Sequence, residues 1–338
     1  MKQAKEIAGL RFIWICLILC LTVAAGWLIF NGRLTDRFYL NVGFLNLNSA
    51  LAKSDLAIVS EARRSFNQIR DETAEAQRSQ RAIALAHVAL GNAETSMNFW
   101  PRDEETLSEF LAWATRAEKN EDWERARNWY LLATQMDDQN ADHWYRLALV
   151  TGNLGHLSEA GNYYHRALTA PNRAEIGRST IMTRLGELAR RRDAPAWTEV
   201  YQWFDEALRG NDFTTQRDLF LARMGRAGAA DQLKQYPAAL DDYRWVADRQ
   251  PGNYWASVHS GRLVWLLEKD FAAAEAYLSS AISIDDTSKW AYRELAHVYM
   301  QSGLLEGAIE LYQQVLTLDP NDSLAKEKLH ALISSDGP

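Results

Sequence analysis

The feature that most constrains this chain is a repeat with a period of 34 residues. Ala126, Tyr130 and Ala133 recur as Ala160, Tyr164 and Ala167, while Phe110, Trp113 and Ala114 recur as Trp144, Leu147 and Ala148. Farther on, Ala274, Leu278 and Ala281 recur as Ala308, Tyr312 and Val315. From about residue 43 onward the apolar pattern is helical, with no strand-like alternation. A fixed period of this size is what stacked helix-turn-helix units leave in a sequence, because each unit buries its apolar face only against its neighbours. At 338 residues the chain also exceeds what one compact core usually covers.

The residue types fit their slots. A large apolar residue followed three and four positions later by Leu-Ala makes one stripe of a unit's first helix. A small residue such as Ala160 lets the second helix approach the first, and an aromatic four positions on, Tyr164, fills the space between units. Gly155 and Gly303 fall where the first helix must end in a left-handed turn, a conformation that glycine adopts without strain. Pro171, Pro251 and Pro320 fall at unit ends, where they stop one helix before the next begins.

With those slots filled, the chain resembles the tetratricopeptide repeat family. The best match is ADHWYRLALVTGNLGHLSEAGNYYHRALTAP at 141–171, through Trp144, Leu147, Ala148, Gly155, Ala160, Tyr164, Ala167 and Pro171. Nearly as good is WAYRELAHVYMQSGLLEGAIELYQQVLTLDP at 290–320, through Tyr292, Leu295, Ala296, Tyr299, Gly303, Ala308, Tyr312 and Pro320. The resemblance implies an all-α solenoid, a right-handed superhelix of helix-turn-helix repeats. Repeats are expected over 107–322, in units near 107–140, 141–174, 175–213, 214–253, 254–288 and 289–322. A capping helix and tail follow at 323–338, with Leu324 and Leu329 turned inward. The small slots Ala160, Val200 and Ala239 are spaced 40 and 39 residues apart, so the third and fourth units carry insertions. The run Arg190-Arg191-Arg192-Asp193-Ala194-Pro195 reads as one such loop. Residues 31–106 read as a helical linker with degenerate repeats, broken at Trp100-Pro101.

Ahead of the repeats, residues 12–30 (FIWICLILCLTVAAGWLIF) carry no charge. As a helix this run spans roughly 28 Å, the thickness of a bilayer's hydrocarbon layer. Trp14 and Trp27 stand near its ends, where indoles favour the membrane interface. The reading is an uncleaved signal-anchor, a single transmembrane helix behind a short basic flank at 1–11. Lys2, Lys5 and Arg11 precede it, and Arg33 and Arg37 follow. The balance leans toward a cytoplasmic N-terminus and a repeat domain on the exported side. Cys16 and Cys20, the chain's two cysteines, lie inside this run. The remainder therefore has neither disulfides nor thiolate zinc sites.

Charge narrows the partners. The formal net charge is −7. Residues 1–37 hold five basic and two acidic side chains, a surplus of +3, so the body beyond them carries −10. A body that acidic repels phosphate backbones, and nucleic acid is excluded as a partner. No His-Glu-x-x-His zinc pair, nucleophile elbow, phosphate loop or dinucleotide fingerprint occurs. Asp138, Asn140 and Asp142 imitate the start of a calcium loop, but His143 and Leu149 stand where that loop needs glycine and a bidentate glutamate. The reading is non-catalytic, with no cofactor and no metal.

The resemblance further implies that the first helix of each unit lines a concave groove suited to a protein or peptide partner. In the last two units the groove slots read Trp255, Val258, Arg262, Trp265 and Leu266, then Trp290, Arg293, His297, Met300 and Gln301. The candidate site is Trp255, Arg262, Trp265, Trp290, Arg293 and His297, an aromatic and basic patch of anchor-type residues. A glycan is a second ligand class that tryptophan rings suit, whereas Trp123, Trp144 and Leu147 read as structural. Two functions lead at this point, ahead of a regulatory subunit that feeds substrate to a separate enzyme. One is a membrane-anchored scaffold or adaptor that recruits partners through the groove. The other is a permanent accessory subunit of a membrane complex, held partly through the small face Ala24, Ala25 and Gly26.

Overall fold

The computed structural model describes residues 56–68, 74–90 and 92–335, and among them every regular element is helical. The chain divides into two compact units, Met1–Tyr163 with Ala170–Asn172, and Tyr164–Thr169 with Arg173–Pro338. The apolar run 12–30 lies outside the described residues. Among the described residues no helix is long and apolar enough to cross a membrane.

In the first unit the helices are α1 (Leu56–Phe66), α2 (Ala74–Ala89), the short α3 (Ala93–Ser96), α4 (Glu104–Lys119), α5 (Trp123–Met136) and α6 (Ala141–Asn153). The helix α7 (Leu157–Thr169) is divided between the two units. Local chemistry sets the helix starts. The side chains of Asp103, Asp122 and Asn140 accept the backbone N–H groups of Thr106, Arg125 and Asp142 at the beginnings of α4, α5 and α6, satisfying donors that a helix cannot pair itself. Asn140 is thereby a cap in an inter-helix turn, which accounts for the calcium-like spacing around it. Gly155 ends α6 at φ 84°. The small slots Ala126, Ala133 and Ala160 are fully buried, as are Phe110 and Leu147.

Trp100 explains why the repeat pattern fades ahead of α4. It is extended at φ −102°, ψ 139°, the conformation that a following proline enforces. Its ring meets Phe110 edge-on at 5.0 Å and lies 5.9 Å from Trp113 and 6.3 Å from Trp129. An aromatic cluster thus closes the near end of the α4–α5 pair. Trp123, which starts α5, is only half-buried. Trp144, at 7% exposure, is a core residue.

The second unit continues as antiparallel pairs: α8 (Arg178–Arg190) with α9 (Trp197–Gly210), α10 (Gln216–Gln232) with α11 (Tyr236–Arg249), α12 (Tyr254–Glu268) with α13 (Phe271–Ile284), and α14 (Lys289–Gln301) with α15 (Leu305–Leu318). The helix α16 (Ser323–Ser335) then packs on α15. Val200, Ala239, Ala274 and Ala308 are all fully buried, so the irregularly spaced small slots do the same work as the regular ones. Within this unit the first helices of neighbouring pairs also touch, α8 with α10 and α12 with α14. Leu324 is 41% exposed, contrary to the inward placement expected for it. Ala325 and Leu332, seven residues apart on one helix face, take the contact with α15 instead, with Leu329 partly buried beside them.

The inserted segments have their own logic. Gly177 starts α8 without a capping side chain. Asp212, beyond the end of α9, supplies it: its carboxylate accepts the backbone N–H groups of Arg178 and Ser179 at 2.7 and 2.9 Å and the Ser179 hydroxyl at 2.6 Å. These bonds hold the Asp212 carboxyl below its usual pKa despite partial burial. A side chain at Gly177 would meet the Asp212 carbonyl oxygen at 1.6 Å, so glycine is required for this approach.

Candidate functional site

The six sequence candidates lie on α12 and α14, two first helices in direct contact, but they divide into two groups. At the N-terminal ends stand Trp255 and Trp290, 47% and 42% exposed. Their ring centroids are 6.5 Å apart and their planes are inclined at 56°, so the two indoles make one shallow notch. Tyr254 fixes the helix ends beneath it, accepting the Ala291 backbone N–H at 3.1 Å and donating to the Ser288 hydroxyl at 2.7 Å. Arg293 lies 4.2 Å from the Trp290 ring centroid and covers one face of that indole.

Toward the C-terminal ends is a pocket of about 380 Å³, lined by Arg262, Trp265, Leu266, Lys269, His297 and Gln301, among others. Lys269, left-handed at φ 55°, places its ammonium 5.1 Å from the Trp265 centroid, a cation–π contact. Arg262, Trp265 and His297 therefore belong to this pocket, and Trp255, Trp290 and Arg293 to the notch. Val258 is in neither, being 3% exposed in a core cluster with Ala281 and Ala291.

The patch is aromatic, and three of its cations, Arg262, Lys289 and Arg293, face acidic side chains. Arg262 pairs with Asp231 at 2.6 Å. Lys289 pairs with Asp319 and, at 3.0 Å, with Asp322, which also lies 3.8 Å from Arg293. Hydrogen bonds from the Lys289 ammonium keep Asp319 ionised below its normal range, and for Asp322 the backbone N–H of Ala325 contributes most. The sequence shows the cations at groove slots. Their acidic partners come from other helices and were invisible to slot reading.

His259 was also missed. It is stacked between Tyr243 at 4.7 Å and Trp255 at 5.9 Å, with Asp231 3.9 Å away. Burial, with the Arg262 charge adding to it and Asp231 opposing, depresses its pKa from 6.5 to about 4. The imidazole is therefore neutral in the fold and binds a proton more readily when unfolded. The unfolded state takes up the extra proton as pH falls through 6.5, so stability is full above that value and is lost toward pH 4. The urea midpoint should fall on moving from pH 7 to pH 5, with His259 contributing about 1–2 kcal/mol of the loss. His259→Gln should flatten the curve in that window. An unchanged pH slope in the variant would remove His259 as the cause.

Residues 266–333 match the tetratricopeptide repeat family, and that stretch contains α13, α14, α15 and most of α16. The fold is similar to that of YrrB, described as a tetratricopeptide repeat protein with an unusual peptide-binding site. The two are 19% identical, the TM-score is 0.51, and the match covers 60% of this chain and 96% of that one. It is also similar to PilF of Pseudomonas aeruginosa, 16% identical with a TM-score of 0.53, over 68% of this chain and 98% of that one. No curated protein matches the chain in sequence. At these identities the likeness is one of fold, and the fold is the all-α tetratricopeptide repeat solenoid.

Proposed function

We propose that the chain is a non-catalytic, membrane-tethered scaffold that docks a partner protein on the faces of α12 and α14. The observation that carries this reading is the pair of adjacent, half-exposed tryptophans, Trp255 and Trp290. Indole rings left in solvent on neighbouring helices lose apolar stabilisation that a partner restores by covering them. Tryptophan also buries a large area with little flexibility to lose, which is why it recurs at the centres of interfaces. The fold supports the same reading, since stacked helix pairs present an extended surface, and YrrB, which shares that fold, is described as having a peptide-binding site.

Tethering rests on sequence. The uncharged run 12–30 suits a single transmembrane helix, and the basic side chains ahead of it favour an exported repeat domain. Confinement to a membrane surface raises effective concentration, so modest affinity suffices.

Detergent extraction followed by gentle affinity purification tests the scaffold. The variant carrying Trp255→Ala and Trp290→Ala should lose its co-purifying partner at least tenfold while still unfolding cooperatively, because both rings are nearly half exposed. Stoichiometric co-purification that survives these changes, and is lost when 12–30 is replaced by an unrelated apolar helix, would instead identify a subunit held through its anchor.

A further inference from the structure

Resting on that docking site, we infer that the Trp255–Trp290 notch takes a proline-rich segment in the polyproline II conformation. Charge is the first argument. The cations beside the notch, Lys289 and Arg293, are matched by Asp319 and Asp322, so the surround is two positive against two negative groups. An acidic segment would have to break these pairs to gain an attraction of its own, and a basic one gains nothing. The occupant is uncharged where it meets the rings.

Ring access is the second argument. The Arg293 guanidinium and the Lys289 ammonium lie 4.2 and 5.7 Å from the Trp290 centroid, His259 stacks on Trp255 at 5.9 Å, and the indoles are inclined at 56° with centroids 6.5 Å apart. The notch therefore offers ring faces and edges side by side, without a parallel gap in which a flat group could be clasped on both sides. Proline rings are compact and apolar and pack on such surfaces. A polyproline II backbone leaves its carbonyls without internal hydrogen bonds, ready to accept from an indole N–H. No hydrogen bond among the described residues uses the N–H of Trp255 or Trp290. The helix is also extended before it binds, so little conformational entropy is lost.

The polar neighbours separate this occupant from a sugar. Pyranose rings stack on indoles too, but their hydroxyls need free donors and acceptors around the ring. Here the nearest charged groups are occupied with one another, and Tyr254 is engaged with Ala291 and Ser288. The notch offers rings and two indole donors, which is what a proline-rich segment requires.

The test titrates the full chain in detergent with a polyproline peptide of about ten residues, long enough for three turns of the helix, following tryptophan fluorescence and heat. Saturable binding should persist between about 0.05 and 0.5 M salt, a range that screens charge attraction. Trp255→Ala and Trp290→Ala should each weaken it about tenfold or more, while Arg191→Ala, on the inserted loop, leaves it unchanged. Absent binding, binding that collapses with salt, or binding indifferent to both tryptophans overturns the inference, as does saturation by a neutral oligosaccharide in place of the peptide. A photo-crosslinker at position 286, exposed in the turn that leads into α14, leaves both tryptophans in place and separates this failure from that of the docking site. A co-purifying partner captured there without polyproline binding sinks the proline-rich occupant alone, whereas no capture and no peptide binding sink both.

Discussion

Replacing Asp242 with alanine is expected to lower the stability of the second unit by about 3–5 kcal/mol, read as a fall in urea midpoint at neutral pH. Asp242 lies on α11, is 1% exposed, and accepts hydrogen bonds from Arg223 at 2.6 Å and from two nitrogens of Arg226 at 2.7 and 2.9 Å. Burial works against the Arg226 charge, yet Asp242, helped by Asp205, holds its pKa above the ordinary arginine value. Alanine would leave two guanidinium groups partly buried beside an uncharged hole. Arg226 would keep Asp205 at 2.8 Å, and Arg223 would keep its place 4.7 Å from the Trp245 centroid. Those contacts limit the loss without cancelling it. Asp242→Asn preserves shape but removes charge and should fall between. A triple variant that makes Asp242, Arg223 and Arg226 apolar together should recover most of the stability, because the cost lies in stranding a charge and not in lacking a pair. A loss below about 1 kcal/mol for Asp242→Ala would show that water reaches the cluster and screens it.

The contrast between that cluster and the small slots shows which parts of the fold are legible in a sequence. Ala126, Ala160, Ala274 and Ala308 could be read directly, because two helices that touch backbone to backbone tolerate only a small residue, and stacking repeats the demand at a near-constant interval. Gly155 and Gly303, at φ 84° and 81°, could be read for the same local reason. Trp255 and Trp290 were found because they occupy equivalent slots. Their electrostatic setting was not legible, since Asp319 and Asp322 come from the end of α15 and the start of α16, where nothing in local spacing marks them as partners of Lys289 and Arg293. The Asp212 cap of α8 escaped for a similar reason. It reaches back to residues more than thirty positions earlier, whereas capping rules look only at the helix's own first turn. On α16 the expected inward placement fails for Leu324 but not for Leu329, because amphipathic spacing allows several faces and contact with α15 selects Ala325 and Leu332 beside Leu329.

Close packing around Phe204 carries the other large expected effect. Phe204, on α9, is fully buried and sits against two glycines, Gly186 on α8 and Gly225 on α10. A Cβ added at Gly225 would lie 2.2 Å from the tip of the Phe204 ring, and one at Gly186 2.9 Å from it. Both glycines are helical with ordinary φ, so backbone freedom is not what demands them. The demand is space for the aromatic ring of Phe204. Gly225→Ala would ordinarily gain helix propensity of about 0.5–1 kcal/mol. Here the overlap should reverse the sign and cost about 1–3 kcal/mol, since a ring packed on both sides has no free direction to move in. Phe204→Ala should cost about 3–5 kcal/mol through the cavity it leaves. The double variant Gly225→Ala, Phe204→Leu decides the mechanism. Leucine is shorter at the point of overlap, so the two changes together should cost less than the sum of their separate losses, a coupling measurable by a double-mutant cycle. Additive losses would mean that the ring can tilt away from Gly225, and that glycine stands there for some other reason.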